Sequence, residues 1–336
     1  MTNNLPDPAP VGRLIEAFRW SKTMFTTASL GLYDLLPATA GSLARTLGLN
    51  PDALERLLDG NVGLQLLEKR GEAYYNQPVA DTYLRKDSPH SLIGYILYSD
   101  RALYPMWGHL EDAVREGTNR WRQTFGTPGP IFDQFFSTEE NMRTFIMGMH
   151  GFGVLSSPAV VRAFDLSRFH RLVDLGGATG HLATAACEAY PGLQGVVLDL
   201  ERVIPVAREM VAQSSAKDRI TCVAGDFFHG DLPEGDLYAL GRILHDWDEA
   251  GIELLLRRIC AALPKGGALL IAERLLNEDK SGPLNSLMQS LGMLICTEGK
   301  ERTLEEYRTL LLNAGFSQVE GKRTGRAVDA ILCDKL

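Results

Sequence analysis

Four stretches in the second half of the chain carry residue types able to do chemistry. Asp174-Leu-Gly-Gly-Ala-Thr-Gly180 is a tight glycine turn after an apolar run, and Gly195-Val-Val-Leu-Asp199 closes a second apolar run on an acid. Gly225-Asp226-Phe227-Phe228 sets an acid beside two aromatics. Gly241-Arg242-Ile-Leu-His245-Asp-Trp247-Asp248 sets a histidine among acids. A glycine turn lets backbone approach a ligand closely because no Cβ stands in the way. Its spacing is Asp-x-Gly-x-x-x-Gly, not the G-x-G-x-x-G that seats a pyrophosphate on a helix N-terminus, which disfavours an NAD dehydrogenase. Gly176 and Gly177, with Asp174 leading in, are therefore candidate contacts for a nucleoside that carries no phosphate.

S-adenosylmethionine is such a ligand. An acid at the position of Asp199 accepts hydrogen bonds from both ribose hydroxyls. Asp226 can take an adenine amino group while Phe227 covers the ring. Each signal alone also has a plain structural explanation, since strand-end acids often cap helices. Their order at successive strand ends is what points to a nucleoside.

Methyl transfer from a sulfonium is an in-line displacement that mainly needs aligned partners and a deprotonated acceptor. A neutral imidazole suits a phenolic hydroxyl, so His245 reads as a general base. It reads equally as a loop histidine next to Asp248, the cap of a helix starting at Glu249. A base needs a carboxylate to hold its tautomer. Glu273, at the end of Ala268-Leu-Leu-Ile-Ala-Glu, and Glu301, in Gly299-Lys-Glu-Arg-Thr303, are the candidates. Glu301 equally fits a solvated linker charge, because Thr303 and Glu306 already form a capping box.

The elements that must position these residues follow from the pattern. From 171 onward short β-rich runs (171–175, 195–200, 220–226, 237–240, 268–273) alternate with helical stretches at 182–190, 203–213 and 252–263. That alternation predicts a doubly wound α/β domain with a parallel sheet. Segments 318–320 and 330–333 predict a terminal antiparallel hairpin. Earlier, apolar spacing predicts helix over 11–36, a short helix over 41–49 and a helix from Pro51 through Leu66. A turn at Arg70-Gly71 and a strand-like edge at 73–77 complete a winged helix–turn–helix pattern. Its bases between 41 and 80 are Arg45, Arg56, Lys69 and Arg70 against five acids, 4 − 5 = −1, too acidic a surface for phosphates. Packing or dimerisation is the better use. Residues 91–165 are mainly helical and rich in Tyr95, Tyr98, Trp107, Phe132, Phe135, Phe136, Phe145, Met147, Met149 and Phe152.

Composition narrows the classes further. The 336 residues are 45% hydrophobic and 23% charged, an ordinary globular mix. Lys plus Arg number 34 against 42 Asp plus Glu, a balance of −8 that repels nucleic acid and anionic membranes. No apolar run approaches the roughly 20 residues of a spanning helix, and the N-terminus lacks a signal-peptide pattern. Five scattered cysteines without CxxC pairs argue against a disulfide framework or zinc site. A cytoplasmic protein with no metal is expected.

Four segments carry a family resemblance: Val173-Asp-Leu-Gly-Gly-Ala-Thr-Gly180, Gly225-Asp-Phe-Phe228, Leu244-His-Asp-Trp247 and Gly299-Lys-Glu-Arg-Thr303. Together they resemble the S-adenosylmethionine-dependent O-methyltransferases of the caffeate and acetylserotonin type, with bacterial polyketide-tailoring relatives, over nearly the whole chain. Arg242-Ile-Leu-His-Asp-Trp and the run from Trp107 to Gly117 are most similar to the acetylserotonin branch. The resemblance implies His245 as catalytic base flanked by Glu273 and Glu301. It implies Gly176, Asp199, Asp226 and Phe227 as cofactor contacts, with Arg242 as a basic one. Ala178 stands where active members usually have a third glycine.

The expected fold is a class I Rossmann-like methyltransferase domain, with a mostly parallel seven-stranded sheet ending in an antiparallel hairpin, behind a mainly helical winged-helix dimerisation domain. The expected boundaries are 1–100 for dimerisation and 101–336 for catalysis, the latter with a substrate-pocket segment at 101–165 and a Rossmann-like core at 166–336. Phe145, Met149, His150, Phe152, Trp247, Met288 and Met293 are candidates for an apolar acceptor pocket, although Met and aromatic residues at helical spacing are commonly core. The expected partners are a hydroxylated small aromatic substrate and a second copy paired through the first helices across a two-fold. The alternatives are a catalytically silent S-adenosylmethionine-binding protein, or carbon or nitrogen methylation on the same scaffold.

Overall fold

A computed structural model describes residues 5–126, 136 and 138–336; Phe132 and Phe135 lie outside them. The chain divides into two compact units, 1–102 and 103–336.

The first unit is built around a long helix, Ala9–Ser29, which ends earlier than the apolar pattern suggests. Gly31 sits at φ 70 and turns the chain into a single 3-10 turn at Leu32–Asp34. Two helices follow, Ala40–Leu47 capped by Thr39 and Pro51–Gly63 capped by Asn50. Leu66 falls beyond the second of these. Three short strands, β1 (Ala38–Thr39), β2 (Leu67–Arg70) and β3 (Ala73–Asn76), form a sheet in the order β1-β3-β2, the wing. A buried chain of hydrogen bonds ties the long helix to the others: Tyr33 Oη donates to Asn61 Oδ1 (2.7 Å), and Asn61 Nδ2 donates to Thr27 Oγ1 (2.7 Å). Arg56, Lys69 and Arg70 are each paired with an acid of the unit, which leaves them poorly available to phosphates. The first half of the long helix exposes Val11, Leu14, Ile15 and Phe18, spaced as one apolar stripe.

The second unit holds a seven-stranded sheet. Its strands are β4 (Arg171–Leu175), β5 (Gln194–Asp199), β6 (Ile220–Ala224), β7 (Leu237–Gly241), β8 (Ala268–Glu273), β11 (Ser317–Lys322) and β12 (Asp329–Asp334). The order is β11-β12-β8-β7-β4-β5-β6, with β4 to β8 parallel and β12 antiparallel to both neighbours. Alternate strand residues feed two cores: Leu172 and Val197 on one face, Val173 and Leu240 on the other. The chain runs outward from β4 to β6 and then returns to place β7 on the other side of β4. The crevice at the carboxyl ends of β4 and β7 is thus the switch point where open α/β sheets bind ligands.

The helix Glu139–Arg162 is long and apolar enough to cross a membrane by length and composition, contrary to the expectation that no such stretch exists. Here it packs along the helix His181–Ala189, burying Gly148, Gly151 and Gly153 among other residues. A separate two-residue ladder pairs β9 (Leu275–Leu276) with β10 (Arg302–Thr303), in parallel.

Candidate active site

The glycine turn leaves β4 through Gly176 (φ 66), Ala178 (φ 50) and Gly180 (φ 73), three left-handed residues in five. A Cβ on Gly176 would lie 2.7 Å from Ile243 Cδ1 and 3.2 Å from Phe227 Cε1, so these side chains roof the turn from the β7 and β6 sides. A Cβ on Gly177 would meet Asp174 and Val197 at 2.8–2.9 Å. Asp174 faces inward instead of into the crevice: its Oδ2 accepts the Ala183 N–H (3.2 Å), and burial pushes it up to about 7. Asp199 lies at the end of β5 and braces the turn, its Oδ2 accepting Ala178 N–H (2.8 Å) and its Oδ1 Leu200 N–H (2.7 Å). Burial raises Asp199 to about 6 against those two bonds. Each of its oxygens keeps a free lone pair.

Asp226 turns toward its own loop. Its Oδ1 accepts Phe228 N–H (2.8 Å) and its Oδ2 lies 2.9 Å from His229 Nδ1. Phe227, Phe228 and Trp247 form an aromatic cluster, Phe227 tilted against Phe228 (centroids 4.9 Å apart) and Phe228 edge-to-face with Trp247 (4.7 Å). Arg242 takes φ 57 at the end of β7, and its Nε is buried without a hydrogen-bond partner.

His245 sits in a single 3-10 turn, Leu244–Asp246, and Asp248 caps the next helix, Glu249–Ala262, through Gly251 N–H. Its Nδ1 is 2.8 Å from Glu301 Oε1 and 3.5 Å from Glu273 Oε2. The three side chains are almost completely buried, at 3%, 2% and 0% exposure for His245, Glu301 and Glu273. Glu301 is therefore not a solvated linker charge, even though Thr303 and Glu306 do form the capping box. Glu273 Oε1 accepts the N–H groups of Ile243 (3.0 Å) and Leu244 (2.8 Å), which fixes the turn before the imidazole. Burial would lower the His245 pKa, but the charges of Glu273, Glu301 and Asp246 outweigh it and raise it to about 9. Burial, opposed by His245, pushes Glu273 up to about 7.

One histidine nitrogen and two carboxylates, all within 4.8 Å, would also suit a divalent ion. The 2.8 Å contact favours a hydrogen bond, since ligands with 2.0–2.1 Å bonds to a tetrahedral ion stand roughly 3.3 Å apart. With Nδ1 committed to Glu301, Nε2 is the nitrogen left to exchange a proton.

Among the pocket candidates, His150 places Nδ1 2.9 Å from Thr179 Oγ1, so it binds the glycine turn. Phe145 packs against Phe136, Met149 and Phe152 are half-buried, Met293 is buried, and Met288 is exposed. The described contacts do not gather them around one cavity.

Three residues to which the sequence assigned no role take part in the site. Asp246 places Oδ1 3.7 Å from His245 Nε2. Gly299 packs on the His245 carbonyl so closely that a Cβ would stand 2.1 Å from it. His181 fills the space beside Gly153 and bonds Ser157 Oγ (2.8 Å). The glycines were visible as residues, but only the partners across the fold show why no side chain fits.

Comparison with known proteins decides the family. A model of the O-methyltransferase domain matches residues 107–317, and a model of the O-methyltransferase dimerisation domain matches residues 13–86. The chain belongs to the O-methyltransferase family. It is 40% identical to acetylserotonin O-methyltransferase of Gallus gallus, over 98% of both chains. The crystal structure of human N-acetylserotonin methyltransferase in complex with SAM superposes with a TM-score of 0.93 at 37% identity, covering 100% of this chain and 99% of that one. The structure of PigF with SAH gives 0.89 at 30% identity, covering 98% and 100%. This O-methyltransferase is S-adenosylmethionine-dependent, and its second unit has the methyltransferase fold. The open lone pairs of Asp199, at the end of β5 beside the glycine turn, suit the ribose hydroxyls of a nucleoside.

Proposed function

We propose that the enzyme methylates a hydroxyl of a small aromatic molecule, with His245 as general base. The observation that carries this reading is the fully buried His245–Glu301 hydrogen bond beside Glu273 at the mouth of β7. When bound, S-adenosylmethionine supplies a methyl group on a positively charged sulfur that leaves as a neutral thioether. Glu301 holds Nδ1–H, so Nε2 points at the acceptor and takes its proton. Glu273 locks the Ile243–Leu244 backbone and shares in stabilising the imidazolium. Gly176, Gly177 and Asp199 form the nucleoside floor, Phe227 its roof, Asp226 and Arg242 its rim, and Asp174 supports the turn from below. The aromatic cluster through Trp247 and the residues Phe145, Met149, His150, Phe152, Met288 and Met293 are our candidates for the acceptor side.

Residues 1–100 serve pairing and 101–336 serve binding and chemistry in this reading. The dimerisation-domain match and the exposed stripe Val11–Leu14–Ile15–Phe18 support a homodimer closed by the first helices. Ile15→Glu with Phe18→Glu is expected to convert a dimer to a monomer in light scattering; a dimer of unchanged mass would sink the pairing mode. Five free thiols fit the reducing cytoplasm.

The activity is tested by incubating the enzyme and methyl donor with phenols, hydroxyindoles and aromatic polyketides and mapping any added methyl by mass and NMR. A methyl found on carbon or nitrogen would refute the reading. So would S-adenosylhomocysteine binding without any product, which the silent alternative predicts.

A further inference from the structure

We propose that Arg302 is a positioning residue of the methyl-transfer site, its guanidinium tying the loop that carries His245 to the segment that carries Glu301. The inference rests on the roles given to that pair above. Arg302 is the largest fully buried side chain of the described residues, at 1% exposure. Its Nη1 donates to the Lys300 carbonyl at 3.0 Å and to the Leu244 carbonyl at 3.4 Å. Those two residues immediately precede Glu301 and His245. Its Nη2 reaches Glu249 Oε1 at 3.2 Å, on the first turn of the helix that follows the catalytic loop.

The need for such a tie follows from the topology. Glu301 enters the site from a segment whose strand pairing is the two-residue ladder of β9 and β10, with Lys300 paired to the exposed Glu249 (2.9 Å) at its outer edge. Its partner His245 sits in a one-turn helix after β7, 56 residues away in sequence. Neither element is long enough to hold a 2.8 Å contact by itself. Gly299 lets the segment lie directly against the His245 carbonyl, and Arg302 bridges the two backbones through the Leu244 and Lys300 carbonyls. A buried cation is costly, and an apolar side chain would fill the same volume without that cost. Only a planar fork with several donors meets two carbonyls and a carboxylate at once; a lysine ammonium has the charge without the fork.

The test measures kcat per S-adenosylhomocysteine-binding site, so that misfolded protein is not counted, for Arg302→Lys, Glu249→Ala, Lys300→Ala and His245→Ala. Arg302→Lys is expected to lower kcat per site by about 10- to 100-fold, as a displacement near 1 Å does at a reacting centre. Acceptor KM and S-adenosylhomocysteine affinity should stay within about threefold. Glu249 is exposed and also pairs with Lys300 Nζ (2.9 Å), so its alanine variant removes an outer anchor that Arg302 and Lys300 share. Measured against Lys300→Ala, which loses only the lysine's pair, it is expected to show the same pattern at about two- to fivefold. If Arg302→Lys binds no S-adenosylhomocysteine, Glu249→Ala decides by the same criterion. Wild-type kcat per site in Arg302→Lys and Glu249→Ala, beside a collapsed His245→Ala, would overturn the tie while leaving the base in place. Full activity in His245→Ala would instead overturn the base, and the tie with it.

Discussion

On the β4–β5 side of the crevice the acids are occupied by backbone. Asp174 takes Ala183 N–H, Asp199 takes Ala178 and Leu200 N–H, and left-handed residues set the path of the chain. On the β7–β8 side Glu273 Oε1 also takes backbone, the N–H groups of Ile243 and Leu244, but Glu273 and Glu301 both face His245, and their Oε2 atoms are buried with no hydrogen-bond partner. The first bank is held by backbone hydrogen bonds to two buried carboxylates and by the left-handed path of the turn. The second is held by charges in a dry environment, where proton affinity depends on every neighbour. Binding should therefore fail when the first bank is altered, and turnover when the second is.

His245→Ala gives the largest expected effect and the clearest separation of the two banks. Removing a general base costs typically 10²- to 10⁴-fold, so kcat should fall by about that factor while S-adenosylhomocysteine binding survives. Equal losses in both would erase the distinction. Gly176→Ala should show the mirror pattern. The new methyl group must take φ 66 and meet Ile243 and Phe227, a strain of about 1–2 kcal/mol. Cofactor affinity should drop about five- to thirtyfold with kcat at saturation kept near wild type; calorimetry on the variant measures it directly.

The pH profile sharpens the comparison further. His245 must be neutral to accept a proton, and its pKa is held near 9 although burial opposes this, by Glu273, Glu301 and Asp246; Arg242 also lies in the field of Glu273 and Asp246. The active fraction thus grows as pH rises, and kcat/KM should climb through about 9. Glu273→Gln removes one of the raising charges, so the climb should shift toward neutral pH, by roughly one unit for a single buried neighbour. A flat profile in wild type, or a limb that stays put in Glu273→Gln, would contradict an electrostatically held imidazole.

Much of the first bank was legible in the sequence because its determinants are local. The run 171–175 is β4 residue for residue, and Asp199 was readable as a strand-end acid. The start of the helix at Glu249 followed from its Asp248 cap. The second bank was less legible because its partners meet across the fold. The ladder of β9 and β10 is two residues long and leaves no hydropathy period, yet it is what brings Glu301 to His245. The capping box at Thr303 satisfied local rules and gave no hint that Glu301 was buried. In the first unit, the apolar pattern past Ser29 persists, but Gly31 at φ 70 stops the helix, a choice that composition alone does not reveal.

The smallest expected effect concerns Ala178, where related active enzymes are expected to carry glycine. An alanine at φ 50 costs about 1 kcal/mol or slightly more relative to glycine. Its methyl group packs with the apolar cluster of Met142, Ile146, Val203 and Val206, and does not stand alone over the crevice. Burial of one such group contributes up to about 0.8 kcal/mol, and the stiffer unfolded chain adds about 0.4–1 kcal/mol. The terms nearly cancel. Ala178→Gly should therefore change unfolding free energy by less than about 0.5 kcal/mol, and cofactor affinity by less than about twofold, since Asp199 still receives the same N–H. A tenfold gain in affinity would show that the methyl group intrudes on the nucleoside site, and that the first bank, too, is tuned by a side chain.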